Sequence, residues 1–408
     1  MPSQAGDMIG AGRQRLGTES TVGDAVRAAA PLGYPAGIFS AEGLARVETV
    51  ADQLPGRLTS TFGFEVELGM PPGGADFALA VTGLHGGREM LAGSSDFEFR
   101  LASSEEPAWA AVRALSRAWA DPLSGLDAEL HNLALGFDLV ESEEAVPPPN
   151  VFLGARSGIS ANSPMDRRRE ERSWAWLFDA ALPVLRGRLS RVQRDTLGRC
   201  FHSLPGGSRA FQIGVMLARP VDALRVCILG LSYDSLSGYL ESIGWPADPQ
   251  ELDDQLGPLL ERAESVIVDI DAADCVLPSI GIECFLGEEN AGKGSGGAPG
   301  MEDRWSRFLE PLVSRGLCTP ERRQALLDWP LTAVESRART WPAHLRDASR
   351  FLGADLESSL VRAINHVKLS WRPDRPLQAK AYLRVQHRWR PATSPVGRPT
   401  VPSPLRGG

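Results

Sequence analysis

The chain has 408 residues, 43% of them hydrophobic, and a formal net charge of −8. That length can bury a large core, as one closed barrel or as two conventional domains, and the acidic balance argues against nucleic acid or an anionic membrane as the main partner, because both select a basic surface. No apolar run approaches the roughly 20 residues of a membrane helix and no basic-then-apolar leader opens the chain, so a cytoplasmic location is expected. The five cysteines, Cys200, Cys227, Cys275, Cys284 and Cys318, are scattered and never spaced as CxxC. Neither a disulfide framework nor a zinc site is indicated, and all five read as small buried hydrophobes.

Taken in order, residues 1–21 are rich in Gly, Ser and Gln and read as disordered. Residues 22–390 then read as one barrel domain in which two-stranded hairpins alternate with helical stretches. The hairpins fall at 58–84, 133–156, 210–231, 266–286 and 366–389, where apolar and polar residues alternate with the period of a strand. Helices are expected at 106–120, 169–185, 190–202 and 248–265 and along 301–363, where Trp305, Leu309, Leu312 and Val313 recur at three and four. Residues 287–300 form a Gly-rich insert expected to be a flexible loop, and 391–408 a disordered tail.

The insert contains a near miss to a phosphate loop, Gly287-x4-Gly292-Lys293, but Gly294 stands where Ser or Thr should meet magnesium and no helix can open behind it. Asp253 and Asp254 lack the further acid of a magnesium-binding DDxxD motif and read as a solvated helix start. The segment from Gly230 to Asp234 lacks the last glycine of a nucleophile elbow, and the histidines show no HExxH spacing. No metal-ligand set is apparent.

Five hairpins make ten strands. With the apolar faces covered by the intervening helices, the fold class is α+β: a ten-stranded antiparallel β-barrel with helices outside and a polar lumen. Alternation turns Phe62, Phe64, Val66 and Leu68 toward the helices, and Gly63, Glu65 and Glu67 toward the lumen. The same rule sends inward Asp138, Gln212, Arg225, Asp269, Asp271, Glu283, His366, Lys368, Lys380, Tyr382 and Arg384, with Arg156 and Thr82 beside them. On a lone strand such residues would face bulk water; in a closed lumen they must pair, and both signs are present. The densest group is Lys368 with Lys380-x-Tyr382-x-Arg384, for which an anion is the natural guest. Glu65 is a candidate general base or acceptor for a substrate N–H; equally, Glu65 and Glu67 can neutralise the lumen cations.

Five αββα repeats closing into such a barrel resemble the aromatic prenyltransferases of the ABBA type, the dimethylallyl tryptophan synthase group. The resemblance is carried by Phe64-Glu65-Val66-Glu67-Leu68, Gly136-Phe137-Asp138-Leu139 and the inward Lys380-x-Tyr382. It implies transfer of an allylic group from a prenyl diphosphate co-substrate to an indole or other aromatic acceptor, small molecule or peptide, with no further cofactor and no metal. It implies a diphosphate cradle from Arg225, Lys368, Lys380, Tyr382, Arg384 and Arg156, and Glu65, with Glu67 beside it, binding and deprotonating the acceptor. The chain departs from the family in lacking repeated Lys-x-Tyr pairs, and Asp138, Asp269, Asp271 and Glu283 would oppose a diphosphate unless neutralised. The alternatives are a non-catalytic barrel that binds a peptide or small ligand in a modification pathway, and a different enzyme on the same barrel that uses the acidic and basic lumen residues for acid–base work. Acceptor, prenyl length and oligomeric state are not written in the sequence.

Overall fold

The computed structural model describes residues 20–83, 86–93, 106–140, 142, 144, 146–159, 174–287 and 300–392. The first nineteen residues, most of the Gly-rich insert with its near-miss phosphate loop, and nearly all of the tail lie outside the described residues. The strands are β1 (Thr61–Glu67), β2 (Asp76–Thr82), β3 (Leu130–Phe137), β4 (Asn150–Ile159), β5 (Arg209–Val215), β6 (Leu224–Leu229), β7 (Ser265–Ala272), β8 (Val276–Phe285), β9 (Leu331–Val334), β10 (Leu356–Arg372) and β11 (Arg375–Pro391). Each of β1 to β7 pairs antiparallel with the next, β8 pairs with β10, β10 with β11, and β11 returns to β1. Ten strands therefore close into a barrel, as the alternation of the five hairpins requires.

The outward faces are apolar as expected. Phe62, Phe64 and Val66 of β1 and Phe77, Leu79 and Val81 of β2 are at most 4% exposed. Burying each contributes about 1.5–3 kcal/mol, and the continuous core lies between the barrel and its helices rather than inside the barrel. Local signals start several helices. Ser190 and Gln193 form a reciprocal capping box before Arg191–His202, and the Glu106 carboxylate accepts from the first amides of Pro107–Ala120. Near the barrel seam, Tyr34 stacks on Trp329 with centroids 5.4 Å apart, and the buried Arg362 guanidinium stands 4.8 Å from the Trp329 ring centroid while its Nε donates to the Trp329 carbonyl at 2.9 Å.

Several expectations need correction. The stretch 301–363 is not helical throughout: helices at Met301–Ser314, Pro320–Leu327 and Ala343–Leu352 are interrupted by β9, and β10 already begins at Leu356. β9 pairs with Ser359–Arg362 of β10 as an eleventh strand outside the ring, beyond the end of β8. Within 169–185 the described part is a π-helix, Trp176–Ala181, followed by Leu182–Arg186. Helices at Val22–Ala28, Ala41–Ala51 and Tyr233–Ile243 were not anticipated. Asp253 and Asp254 are solvent-exposed but lie within Pro249–Leu260, which Asp248 caps, rather than at its start. Cys275 is exposed, whereas the other four cysteines are buried. Among the described residues, no helix is long and apolar enough to cross a membrane.

Candidate active site in the barrel lumen

Register decides which inward side chains meet. Glu65 stands opposite Tyr382 across the β1–β11 seam, with Glu67 opposite Lys380 and Gly63 opposite Arg384. The Lys380 ammonium donates to Glu65 Oε1 at 2.7 Å, and the Tyr382 hydroxyl bonds the same carboxylate. Burial pushes the Glu65 carboxyl up, but Lys380 and Tyr382 together outweigh it and hold the group at about 2. Glu65 is thus a fixed anion, a strong hydrogen-bond acceptor and a weak base.

Lys368 is placed directly opposite Lys380 in the β10–β11 ladder, an arrangement that would repel if both ammoniums stood alone. They turn to opposite neighbours: Lys380 to β1, and Lys368 across β8 to Asp269 of β7, with which it pairs. That crossing needs Gly281 of β8, because a Cβ there would meet Lys368 Cε at 2.5 Å. Arg225 grips Asp271 from the adjacent strand through Nε at 2.9 Å and a terminal nitrogen at 3.0 Å. Glu283 Oε1 lies 4.0 Å from the Lys368 ammonium, already taken by Asp269. Burial and the Asp269 charge push the Glu283 carboxyl up to about 8, so it is largely protonated at neutral pH. Beside it, His366 is held neutral, its value driven down to about 3 by burial and by Lys368.

The structure therefore brings Glu65, Lys380 and Tyr382 into one cluster, and Arg225 and Lys368 into a second with Asp269, Asp271 and Glu283. Arg384 follows Tyr382 along the same face. Arg156 is exposed, and its guanidinium donates to the Asp127 and Leu130 carbonyls at 3.1 and 3.4 Å. Asp138 lies just past the end of β3, held by Arg219 at 2.6 Å and by the Asn150 amide at 2.9 Å.

The lumen is also less uniformly polar than alternation suggests. Cys227, Ile267 and Phe285 form an inward apolar patch, with Phe211 and Leu229 against it. The Phe285, His366 and Tyr382 rings continue from it as neighbours, at centroid distances of 4.8 and 4.2 Å. Across the lumen, several inward positions of β1 to β5 are small, Gly63, Ala78, Ala80, Ala134, Gly136, Gly154 and Gly214, but Phe152 of β4 lies over Gly214 and Asn132 of β3 over Gly154. Ala78 is solvent-exposed although it lies in mid-strand, so water enters the barrel on that side. One wall thus carries charges and rings, and the other sets small residues around Phe152 and opens to water at Ala78.

Among solved structures the chain is similar to 5-dimethylallyltryptophan synthase from Streptomyces coelicolor, at 14% identity over 90% of this chain and 98% of that chain with a TM-score of 0.39. It is also similar to the apo form of prenyltransferase PriB, at 13% identity over 89% of this chain and 94% of that chain with a TM-score of 0.42. No protein-family model and no curated protein sequence matches.

Sequence reasoning missed Asp76. It opens β2 directly opposite Glu65, and its Oδ1 accepts from the Val140 amide at 3.0 Å. Burial first and the Glu65 charge second push its carboxyl up to about 7. The available signal was alternation itself: Phe77, Leu79 and Val81 point outward, so Asp76 points inward.

Proposed function

We propose that the protein transfers an allylic prenyl group from a diphosphate to an aromatic acceptor within the barrel lumen. The observation that carries this reading is the Glu65–Lys380–Tyr382 cluster at the β1–β11 seam, inside a lumen that is open to water at Ala78 of β2. In this reading Lys368, Lys380, Arg225 and Arg384 hold the diphosphate, with the Tyr382 ring beside them, and Glu65 accepts a hydrogen bond from the acceptor's N–H or O–H. The patch of Phe211, Cys227, Leu229, Ile267 and Phe285 supplies an apolar surface for the carbon chain. As the allylic C–O bond breaks, its electron pair leaves with the diphosphate, and a ring π pair forms the new C–C bond. The barrel contributes positioning and stabilisation of the leaving anion.

A second reading, a ligand-binding barrel without catalysis, is favoured by the pairing of Arg225, Lys368 and Lys380 with carboxylates. The experiment that separates the two incubates the protein with dimethylallyl diphosphate and a panel of indoles, phenols and peptides, followed by mass spectrometry. Calorimetry on Lys380→Ala accompanies it. The transferase reading expects a prenylated product, and a diphosphate affinity about ten- to a hundredfold weaker in the variant. Absence of product with unchanged diphosphate binding assigns the cations to ion pairing alone.

A further inference from the structure

Prenylation of a ring carbon releases a proton, and the two carboxylates facing each other at the start of the barrel are not equivalent. Glu65 has one oxygen bound to Lys380 at 2.7 Å and also bonds the Tyr382 hydroxyl, so its negative charge is spoken for. Asp76, opposite it on β2, is in the position where cross-strand Cβ atoms stand about 4.5–5.5 Å apart. An aromatic substrate that donates its N–H or O–H to Glu65 therefore lies within reach of Asp76. The geometry points to Asp76 as the group that takes the proton released by the acceptor, with Glu65 holding the acceptor rather than deprotonating it. The inference rests on the transferase reading above.

The surroundings of Asp76 suit that task from every side. On β1 it faces the anion of Glu65; beyond β1, the nearest cation, Lys380 of β11, is already paired to Glu65. Past the end of β3, the Asp138 carboxylate adds a like charge, itself pinned by Arg219 and Asn150. From the segment after β3, the Val140 amide fixes one Asp76 oxygen at 3.0 Å. A carboxylate with acidic neighbours and a shared cation retains proton affinity close to neutral pH, at about 7, where a general base works best. Ala78, next along the same face, is exposed, so water can relieve Asp76 of the proton. The balance closes: the ring C–H electron pair returns to the aromatic system, the proton moves to the Asp76 carboxylate and then to water, and the diphosphate keeps the C–O pair.

The test compares wild type, Asp76→Asn and Asp76→Glu, using dimethylallyl diphosphate and the acceptor with highest turnover, across the pH range around neutrality. Wild-type turnover should fall on the acid side with a midpoint near 7, where Asp76 becomes protonated. Asp76→Asn should be about a hundredfold slower and flat across the same range, and should show a primary isotope effect with a ring-deuterated acceptor that wild type lacks. Asp76→Glu restores a titrating carboxylate and with it the acid limb. Equal melting temperatures show that the variants fold. An acid limb retained in Asp76→Asn, or absent from wild type, overturns the assignment while leaving the transferase reading intact. A wild type that forms no product from any acceptor overturns both.

Discussion

Replacing Glu283 with Gln should stabilise the protein at alkaline pH and leave it unchanged in acid. The carboxyl is mostly buried, with its side chain 15% exposed, and Lys368 beside it is already neutralised by Asp269. Its folded-state value of about 8 lies above the ordinary 4.5 because burial and the Asp269 charge disfavour the ionised form. The folded state therefore holds a proton that the unfolded chain gives up between those two values. By linkage this group has no effect on stability below about 4.5 and costs progressively more as pH rises to about 8. At about 1.36 kcal/mol per pH unit the full cost has a ceiling near 5 kcal/mol at pH 8. Gln keeps the shape but cannot ionise. With an unfolding entropy of about 2.1 cal/mol/K per residue, a chain of this size shifts by roughly 1 °C per kcal/mol, so the melting temperature should rise by up to about 5 °C at pH 8 and hardly at all near pH 4. Calorimetric melting of both proteins across this range reads the difference directly. A gap that does not depend on pH, or a Gln variant less stable at pH 8, would show that Glu283 is ionised and holds Lys368, refuting the reasoning.

Two further perturbations probe the seam and the lumen at Ala78. Trp329→Ala removes an indole that is fully buried, stacked on Tyr34 and roofed by Arg362, and should cost about 3–5 kcal/mol in denaturant unfolding; a loss below about 1 kcal/mol would mean the aromatic group does not brace this side of the barrel. Ala78→Phe projects a ring into the lumen from an exposed position, so acceptor binding by calorimetry should fall at least tenfold while the melting temperature stays within about 1 °C; unchanged acceptor binding would place the ligand elsewhere.

Much of this architecture was legible because a period of two survives in the hairpins. Phe62, Phe64 and Val66 against Gly63, Glu65 and Glu67 separate two environments without any knowledge of strand order. The signal fails in the first half of β10, where Ser358, Ser359 and Leu360 are consecutively buried between β9 and β11, so alternation disappears and the segment reads as the end of a helical stretch. β9 itself is four residues long, too short for any period. Alternation also gave the inward direction of Lys368 and Lys380, but not their partners. Glu65 and Lys380 are separated by 315 positions, and Lys368 reaches Asp269 only by crossing a glycine on the intervening strand. That Glu65 meets Lys380 is a property of barrel closure, whereas the position of Asp76 against Glu65 follows from the register of the β1–β2 hairpin.

The closure has a consequence for synthesis. β1 near the start of the chain is sealed by β11, its seventh residue meeting Lys380 and its first Gln386. Until β10 and β11 have emerged from the ribosome, β1 and β8 both present open hydrogen-bonding edges next to apolar faces. The last hairpin, β10–β11, is inserted between them and caps both at once. A nascent or truncated chain ending before Leu356 is therefore an open sheet with two adhesive margins, and the cell must shield it for the duration of translation. Residues Leu356 to Ala392 act in this sense as a clasp that converts a sticky ribbon into a closed vessel.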